Sequence, residues 1–164
     1  MSYSDSRSHP NPMGPDPDRA ARLVRTFAMV VGAGFLLVGV LGFIPGITTN
    51  YDTLQFAGHH SDAELLGIFE VSVLHNVVHL IFGVAGLAMA RTATAATSYL
   101  IGGGVIYLVL AIYGTVISYA SAANFIPVDN ADNWLHLGLG LAMIALGLVG
   151  SRVRRTSIGA GAPR

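Results

Sequence analysis

Four long apolar runs, separated by shorter polar segments, set the pattern of this sequence. They cover about residues 26–44, 65–90, 98–120 and 134–150. Each run is close to the roughly 20 residues with which an α-helix crosses a hydrocarbon core. The runs are too long and too uniformly apolar for the alternating strands of a membrane β-barrel. The pattern therefore predicts an all-α membrane protein, a bundle of four transmembrane helices.

The segments outside these runs predict two tails around one domain. Residues 1–21 are rich in Ser, Pro and Asp, a composition typical of disorder because it offers little apolar surface to bury. Residues 22–151 form the predicted four-helix domain, and residues 152–164 form a basic tail. The first apolar run is not followed by a small-residue cleavage site, so we expect it to be a retained anchor rather than a signal peptide.

Charged residues are distributed asymmetrically between the ends of the predicted helices. Arg7, Arg19, Arg22 and Arg25 precede the first run, Arg91 lies between the second and third, and Arg152, Arg154, Arg155 and Arg164 follow the fourth. The other loops contain neither Lys nor Arg and carry Asp52, Asp62, Glu64, Asp129 and Asp132. Because cytoplasmic segments carry the excess of positive charge, both termini are predicted to be cytoplasmic.

The amino-acid composition excludes several classes of function. The chain is 52% hydrophobic and 11% charged, against about 25% charged residues in a typical soluble domain. Its formal net charge is zero, which gives no general attraction to nucleic acid. The absence of Cys excludes disulfides, thiolate metal sites, iron–sulfur clusters and cysteine nucleophiles.

The second and fourth apolar runs share the pattern N-x-x-H-L-x-x-G. It occurs at Asn76–Gly83 and at Asn133–Gly140. A fainter match aligns Val31–Gly34 with Ile101–Gly104. These matches predict an internal repeat, a duplicated two-helix hairpin with both halves starting inside and related by an axis along the membrane normal.

The repeat places a polar histidine cluster in the outer part of the bundle. Its predicted members are Glu70, His75, Asn76, His79, Asp132, Asn133 and His136. A 100° rotation per residue puts His75, Asn76 and His79 on one side of the second helix, and Asp132 lies one turn above His136. Ionisable residues within a membrane are costly and mark functional sites. The alternative is hydrogen bonding between helices, at about 0.6 kcal/mol each.

Four chemistries are compatible with this cluster. A transition metal is one, with His75, His79 and His136 as imidazole ligands and Asp132 as a carboxylate ligand. A b-type haem between His79 and His136 is the second. The third is a proton or cation relay through Glu70, the histidines and Asp132, with Asn76 and Asn133 as supporting polar groups. The fourth is no chemistry, as in a structural accessory subunit of a larger membrane complex. No catalytic residue is predicted, since position 76 is Asn where a metalloprotease would have Glu.

Two further groups of residues carry weaker signals. His59, His60, Asp62 and Glu64 lie together in the first outer loop, where we expect a solvated loop because they lack a fixed helical spacing. Gly103, Tyr107, Gly114 and Ser118 share a side of the third helix, which predicts close helix packing. Spacing alone leaves open whether Tyr107 or Tyr113 borders the histidines.

The stretches Phe69–Leu80 and Ala131–Gly140 resemble those of an actinobacterial family of small four-helix membrane proteins catalogued as a domain of unknown function. The resemblance covers about residues 22–150. It implies a multi-pass protein of a bacterial plasma membrane. From the apolar runs we expect its partners to be lipid and either another membrane protein or a second copy of this chain. The resemblance implies no activity, ligand or site residue.

Overall fold

The computed structural model describes residues 17–58 and 60–159, with side chains for 18–58 and 60–151. Four helices and a small three-stranded sheet make up this part of the chain. In order these are α1 (Pro17–Leu41), β1 (Thr48–Thr49), a 3-10 turn (Tyr51–Thr53), β2 (Glu64–Leu65), β3 (Phe69–Glu70), α2 (Val73–Met89), α3 (Ala93–Val116) and α4 (Asn130–Gly159).

Three of the four helices are long and apolar enough to cross a membrane. The candidate spans are Asp18–Leu41 in α1, Ala93–Val116 in α3 and Asn130–Ser151 in α4. The apolar α2 has 17 residues and is therefore about 26 Å long, slightly less than the roughly 30 Å of a hydrocarbon core. The predicted all-α membrane bundle is confirmed, with one helix shorter than expected.

The observed start of α2 differs most from the prediction. The helix begins at Val73 and not near residue 65, because the Ser72 side chain accepts a hydrogen bond from the His75 N–H at 3.1 Å and caps its first turn. The preceding apolar residues belong instead to β2 and β3.

The first and last helices, α1 and α4, are longer than the apolar runs that predicted them. Pro17 begins α1, as its fixed φ favours at a first helical position, so residues 17–21 are helical and not part of a tail. At the other end, residues 152–159 continue α4. Residues 1–16 and 160–164, the remainder of the predicted tails, lie outside the described residues.

The sheet covers the end of the bundle at which α1 ends and α2 begins, and it was not predicted. Its strands are antiparallel in the order β1-β2-β3, with Leu65 opposite Thr48 and Glu64 opposite Glu70. Leu65 packs with Ala63 and Val71 in a small core that also contacts the C-terminal end of α1. The sheet therefore joins the loop before α2 to the helices beneath it.

Glycines bring the helices of each sequential pair into backbone contact. In α1 and α2, a Cβ added at Gly83 would lie 2.8 Å from the Gly32 carbonyl oxygen. In α3 and α4, a Cβ added at Gly104 would lie 2.7 Å from the Gly140 carbonyl oxygen. Small residues permit such close approach between membrane helices. The hairpins α1–α2 and α3–α4 are therefore tightly packed units.

Apart from Asp18 in the first turn of α1, the described arginine and carboxylate side chains lie at opposite ends of this bundle. The start of α1 and the α2–α3 turn lie at one end, where the Arg25 Nε–H donates to the Ala90 carbonyl at 2.9 Å and satisfies the end of α2. The acidic residues of the sheet and of the α3–α4 loop lie at the other end, which we call the acidic end. The histidines of the shared motif lie in the half of the bundle nearer the acidic end.

Candidate functional site

Three buried imidazoles from two helices meet near the acidic end. His75 and His79 lie on successive turns of α2, with ring centroids 4.7 Å apart and planes inclined by 21°. His136 on α4 has its ring centroid 6.5 Å from that of His75. Their exposed fractions are 5%, 9% and 4% respectively. We call these three residues the histidine cluster.

Two aromatic rings form the floor of the histidine cluster. Phe35 on α1 lies 5.6 Å from His79, and Tyr107 on α3 lies 5.1 Å from His136, measured between ring centroids. The two aromatic rings stack on each other at 5.3 Å. Phe35 could not be recognised from the sequence, because it is one apolar residue within an apolar run.

Hydrogen bonding defines one tautomer in the cluster. The His79 Nδ1 lies 3.0 Å from the His75 carbonyl oxygen, which only accepts, so in the neutral ring Nδ1 carries the proton and Nε2 is an acceptor. The Nδ1 atoms of His75 and His136 are buried without a hydrogen-bond partner among the described protein atoms. Such an unsatisfied group costs about 1–3 kcal/mol, so the cluster is suited to receive a polar partner.

Two cavities adjoin the histidine cluster, and both reach all three imidazoles. The first has a volume of about 70 Å³ and is lined by His75, Val78, His79, Tyr107, Leu110, Tyr113, Phe125, Ile126, Val128 and His136. The second has a volume of about 100 Å³ and is lined by Val38, Leu65, Leu66, Phe69, Val71, His75, His79, Asp132, Leu135 and His136. A water molecule needs about 10–15 Å³ measured in this way. Each cavity is therefore large enough for several waters.

An open depression of about 400 Å³ lies above the second cavity, and we call it the acidic cup. It is lined by Asn50, Asp62, Glu64, Glu70, Tyr119, Ala120 and Asp129. Partial burial, with the nearby charges of Asp129, Asp62 and Glu64, raises the pKa of Glu70 from 4.5 to about 7. The cup therefore concentrates carboxyl groups, and their proximity favours the protonated form of Glu70.

Asp132 lies between the acidic cup and the histidine cluster. It is 2% exposed and lines the second cavity with the three imidazoles. At the start of α4, its Oδ2 accepts from the Asp129 N–H at 3.1 Å, while Asp129 Oδ1 accepts from the Asp132 N–H at 2.8 Å. This reciprocal cap fixes the buried carboxyl directly below a carboxyl of the cup.

The two asparagines predicted as supporting groups face neighbouring helices and line neither cavity of the histidine cluster. Asn76 packs against Gly42, which directly follows α1, and Asn133 packs against Gly114 of α3, so closely that a Cβ at either glycine would collide with the amide. Asn133 Nδ2 also donates to the Tyr119 hydroxyl at 2.8 Å. Their geometry is that of helix-packing residues.

The arrangement gives little support to the metal and haem hypotheses. No group of three or more His, Asp or Glu side chains in the described part of the chain is arranged to hold a metal ion. The nearly parallel rings of His75 and His79 direct their in-plane lone pairs side by side and not at one point. Sites for cofactor-sized ligands measure about 300–1,000 Å³, several times the volume of either cavity.

The histidines and carboxylates that the sequence groups in the first loop lie in different surroundings. Asp62 and Glu64 belong to the acidic cup, which the sequence did not predict as a converging site. His59 lies outside the described residues, and His60 is exposed. Tyr107 and Tyr113, whose relation to the histidines was open, both line the first cavity.

The match to a family model covers most of the chain. The family is described as a domain of unknown function, DUF4383, and its model matches residues 25–149. The chain belongs to this family, which confirms the resemblance found in its two histidine-containing stretches. No curated protein and no solved structure matches the chain.

Proposed function

We propose that this membrane protein takes up protons from the external side onto its histidine cluster, by way of the acidic cup and Asp132. The observation that carries this proposal is that the buried imidazoles of the histidine cluster share a cavity with Asp132, which is hydrogen-bonded to Asp129 of the acidic cup. An imidazole ring can bind and release a proton at its ring nitrogen, which is the property that such a pocket requires.

The order of titratable groups supports a relay. Glu70 and Asp129 line the cup, Asp132 is buried beneath them, and the second cavity connects Asp132 to the imidazoles. A cavity that accommodates several waters can bridge groups that do not touch directly. The raised pKa of Glu70, about 7, suits a group that gives and receives protons near neutral pH.

Packing below the cluster supports uptake on one side and not conduction across the membrane. The Phe82 ring lies 5.9 Å from Phe35 and 6.0 Å from Tyr107, each pair edge to face. In the same layer, the backbones of α1 and α2 meet at Gly32 and Gly83. The proposed site is therefore a proton-binding pocket open to the acidic end.

The external position of the acidic cup is part of the proposal. Arg25 and Arg91 lie at the opposite end of the bundle, next to the ends of α1, α2 and α3. The positive-inside rule then places that end in the cytoplasm of a bacterium and the cup outside its plasma membrane.

We also propose that the bundle arose by duplication of a two-helix hairpin. Equivalent contacts support it: Phe35 touches His79 as Tyr107 touches His136. Three further contacts in the first hairpin have an equivalent in the second. They are Gly32–Gly83 with Gly104–Gly140, Gly42–Asn76 with Gly114–Asn133, and Leu36–Gly83 with Leu108–Gly140. These contacts shift the predicted alignment of α1 and α3 by two residues, pairing Gly32 with Gly104.

The test is a titration of the imidazoles in the purified protein. Nitrogen-15 NMR of histidine-labelled protein in lipid nanodiscs from about pH 8 to 4 reports each ring's charge. We expect at least one cluster imidazole to protonate reversibly. Asp132→Asn is expected to slow its proton exchange, and His60→Gln, in an exposed loop, is the matched control.

A negative result has a defined meaning. If the three imidazoles remain neutral while the protein stays folded, and Asp132→Asn changes nothing, proton uptake is wrong. The cluster would then be an interhelical packing element, as expected for a structural accessory subunit, and co-purification of a partner would be the next measurement.

A further inference from the structure

The two cavities beside the histidine cluster are lined by corresponding residues of the two hairpins. Val78 of the first cavity corresponds to Leu135 of the second in the register that pairs His79 with His136. Leu110 of the first corresponds to Val38 of the second in the register that pairs Gly104 with Gly32. The cavities are therefore two versions of one pocket, each between the first helix of one hairpin and the second helix of the other.

Both cavities have mouths bordered by exposed apolar side chains. The first is bounded by Leu110 and by Phe125, which is 53% exposed, and the second by Leu66 and Leu135, which are 61% and 48% exposed. No charged side chain lines the first cavity, and the only one lining the second is the deeply buried Asp132. A molecule dissolved in the membrane can therefore approach either mouth without crossing a charged rim.

Each cavity offers an acceptor to a small hydrogen-bond donor. The His79 Nε2 is an acceptor, since its Nδ1 is bound to the His75 carbonyl. In the second cavity, Asp132 adds carboxyl oxygens. An apolar pocket with one or two convergent polar groups is the usual form of a small-molecule site. With about 70 and 100 Å³, these cavities fit a small polar head and not a ring system.

We propose that the two cavities bind the hydroxyl end of lipid-soluble alcohols, which reach it from the membrane between α2 and α3 and between α1 and α4. The hydroxyl donates to the histidine cluster, and the alkyl chain extends past the apolar mouth into the lipid. This inference rests on the cavities and on the acceptor at His79, and it does not depend on proton uptake.

The test is photolabelling of the full chain in lipid nanodiscs with a diazirine derivative of 1-octanol, followed by peptide mass spectrometry. We expect labels on the mouth residues of both cavities. Unlabelled 1-octanol is expected to compete, whereas its methyl ether, which cannot donate a hydrogen bond, is not. Competition by the ether to the same degree would overturn the donor requirement and with it the proposed role of the histidines.

Matched tryptophan variants distinguish labelling within each cavity from labelling at the lipid-exposed surface. Val78→Trp is expected to remove labelling of the first cavity alone, and Leu135→Trp that of the second alone. Val84 of α2 is 59% exposed and lines neither cavity, so Val84→Trp should leave the labelling of both cavities unchanged. The opposite outcome is that labels spread along the helices, without competition by 1-octanol and without an effect of Val78→Trp or Leu135→Trp. The probe would then be dissolved in the surrounding lipid and not bound in the cavities, which would contradict the proposal.

Discussion

The contact between α3 and α4 can be tested by making one substitution at two positions of the same helix. A Cβ at Gly104 would lie 2.7 Å from the Gly140 carbonyl oxygen and 3.0 Å from the Ile144 amide nitrogen. A Cβ at Gly102 would have no neighbour within 4 Å. Gly104→Ala and Gly102→Ala therefore add the same methyl group to α3, once against a backbone and once toward lipid.

The expected difference follows from the room available. At Gly104 the methyl group meets backbone atoms, which cannot rotate away, so α3 and α4 must separate by several tenths of an ångström. Overpacking of this kind costs about 1–3 kcal/mol. Each variant also gains about 0.5–1 kcal/mol because Ala replaces Gly within a helix, and this gain cancels in the comparison. The free energy of unfolding of Gly104→Ala should therefore be about 1–3 kcal/mol below that of Gly102→Ala.

The assay is reversible unfolding in mild detergent by added dodecyl sulfate, followed by circular dichroism and by the fluorescence of Trp134, the single tryptophan. The same comparison in the other hairpin uses Gly83→Ala, where a Cβ would lie 2.7 Å from the Leu36 amide nitrogen, and Gly34→Ala, which has no neighbour within 4 Å. Equal stabilities within each pair would refute the backbone contacts and the helix register derived from them.

Two further perturbations test the acidic end. The pKa of Glu70 is raised from 4.5 to about 7, so the folded state binds this proton more tightly, and its stabilising contribution is lost as the pH rises through that window. Glu70→Gln should flatten the pH dependence of Tm and raise Tm most near pH 8. Asp52→Asn, outside the cup, should change neither. If the slope of Tm against pH is the same in Glu70→Gln as in the unmodified protein, this reasoning is wrong. Ser72→Ala removes the acceptor of the His75 N–H and should lower the free energy of unfolding by about 1 kcal/mol; full stability in the dodecyl sulfate assay would show that the cap contributes nothing.

The helices were predictable because each apolar run greatly exceeds the length of a buried strand. The start of α2 was not, because only three residues, Glu70, Val71 and Ser72, separate the apolar residues 65–69 from the helix. Periodicity does not distinguish a short apolar strand from a helical turn. The signal that was present is Ser72, a favoured N-cap residue just before Val73, and it would have placed the boundary correctly.

The histidine cluster was only partly predictable for a related reason. Helical spacing alone brings His75 and His79 together, whereas the position of His136 depends on how α4 packs. The acidic cup depends on the pairing of Glu64 with Glu70 in the sheet. It also depends on the α3–α4 loop, where Asn124 accepts from the Val128 N–H at 3.0 Å. Strand pairings and loop hydrogen bonds of this kind leave no periodic pattern in the sequence.

The short α2 explains how water-accessible carboxylates come close to buried imidazoles. A helix of 17 residues ends about 4 Å short of a hydrocarbon core of roughly 30 Å. Non-helical backbone at that depth is tolerated only where it is covered by protein or lines a water-filled cavity. The sheet supplies the cover, pairing the backbone of Glu64 and Glu70, while their side chains line the cup. A longer α2 would carry Glu70 away from Asp132, so the strands before Val73 give the histidine cluster its polar neighbour.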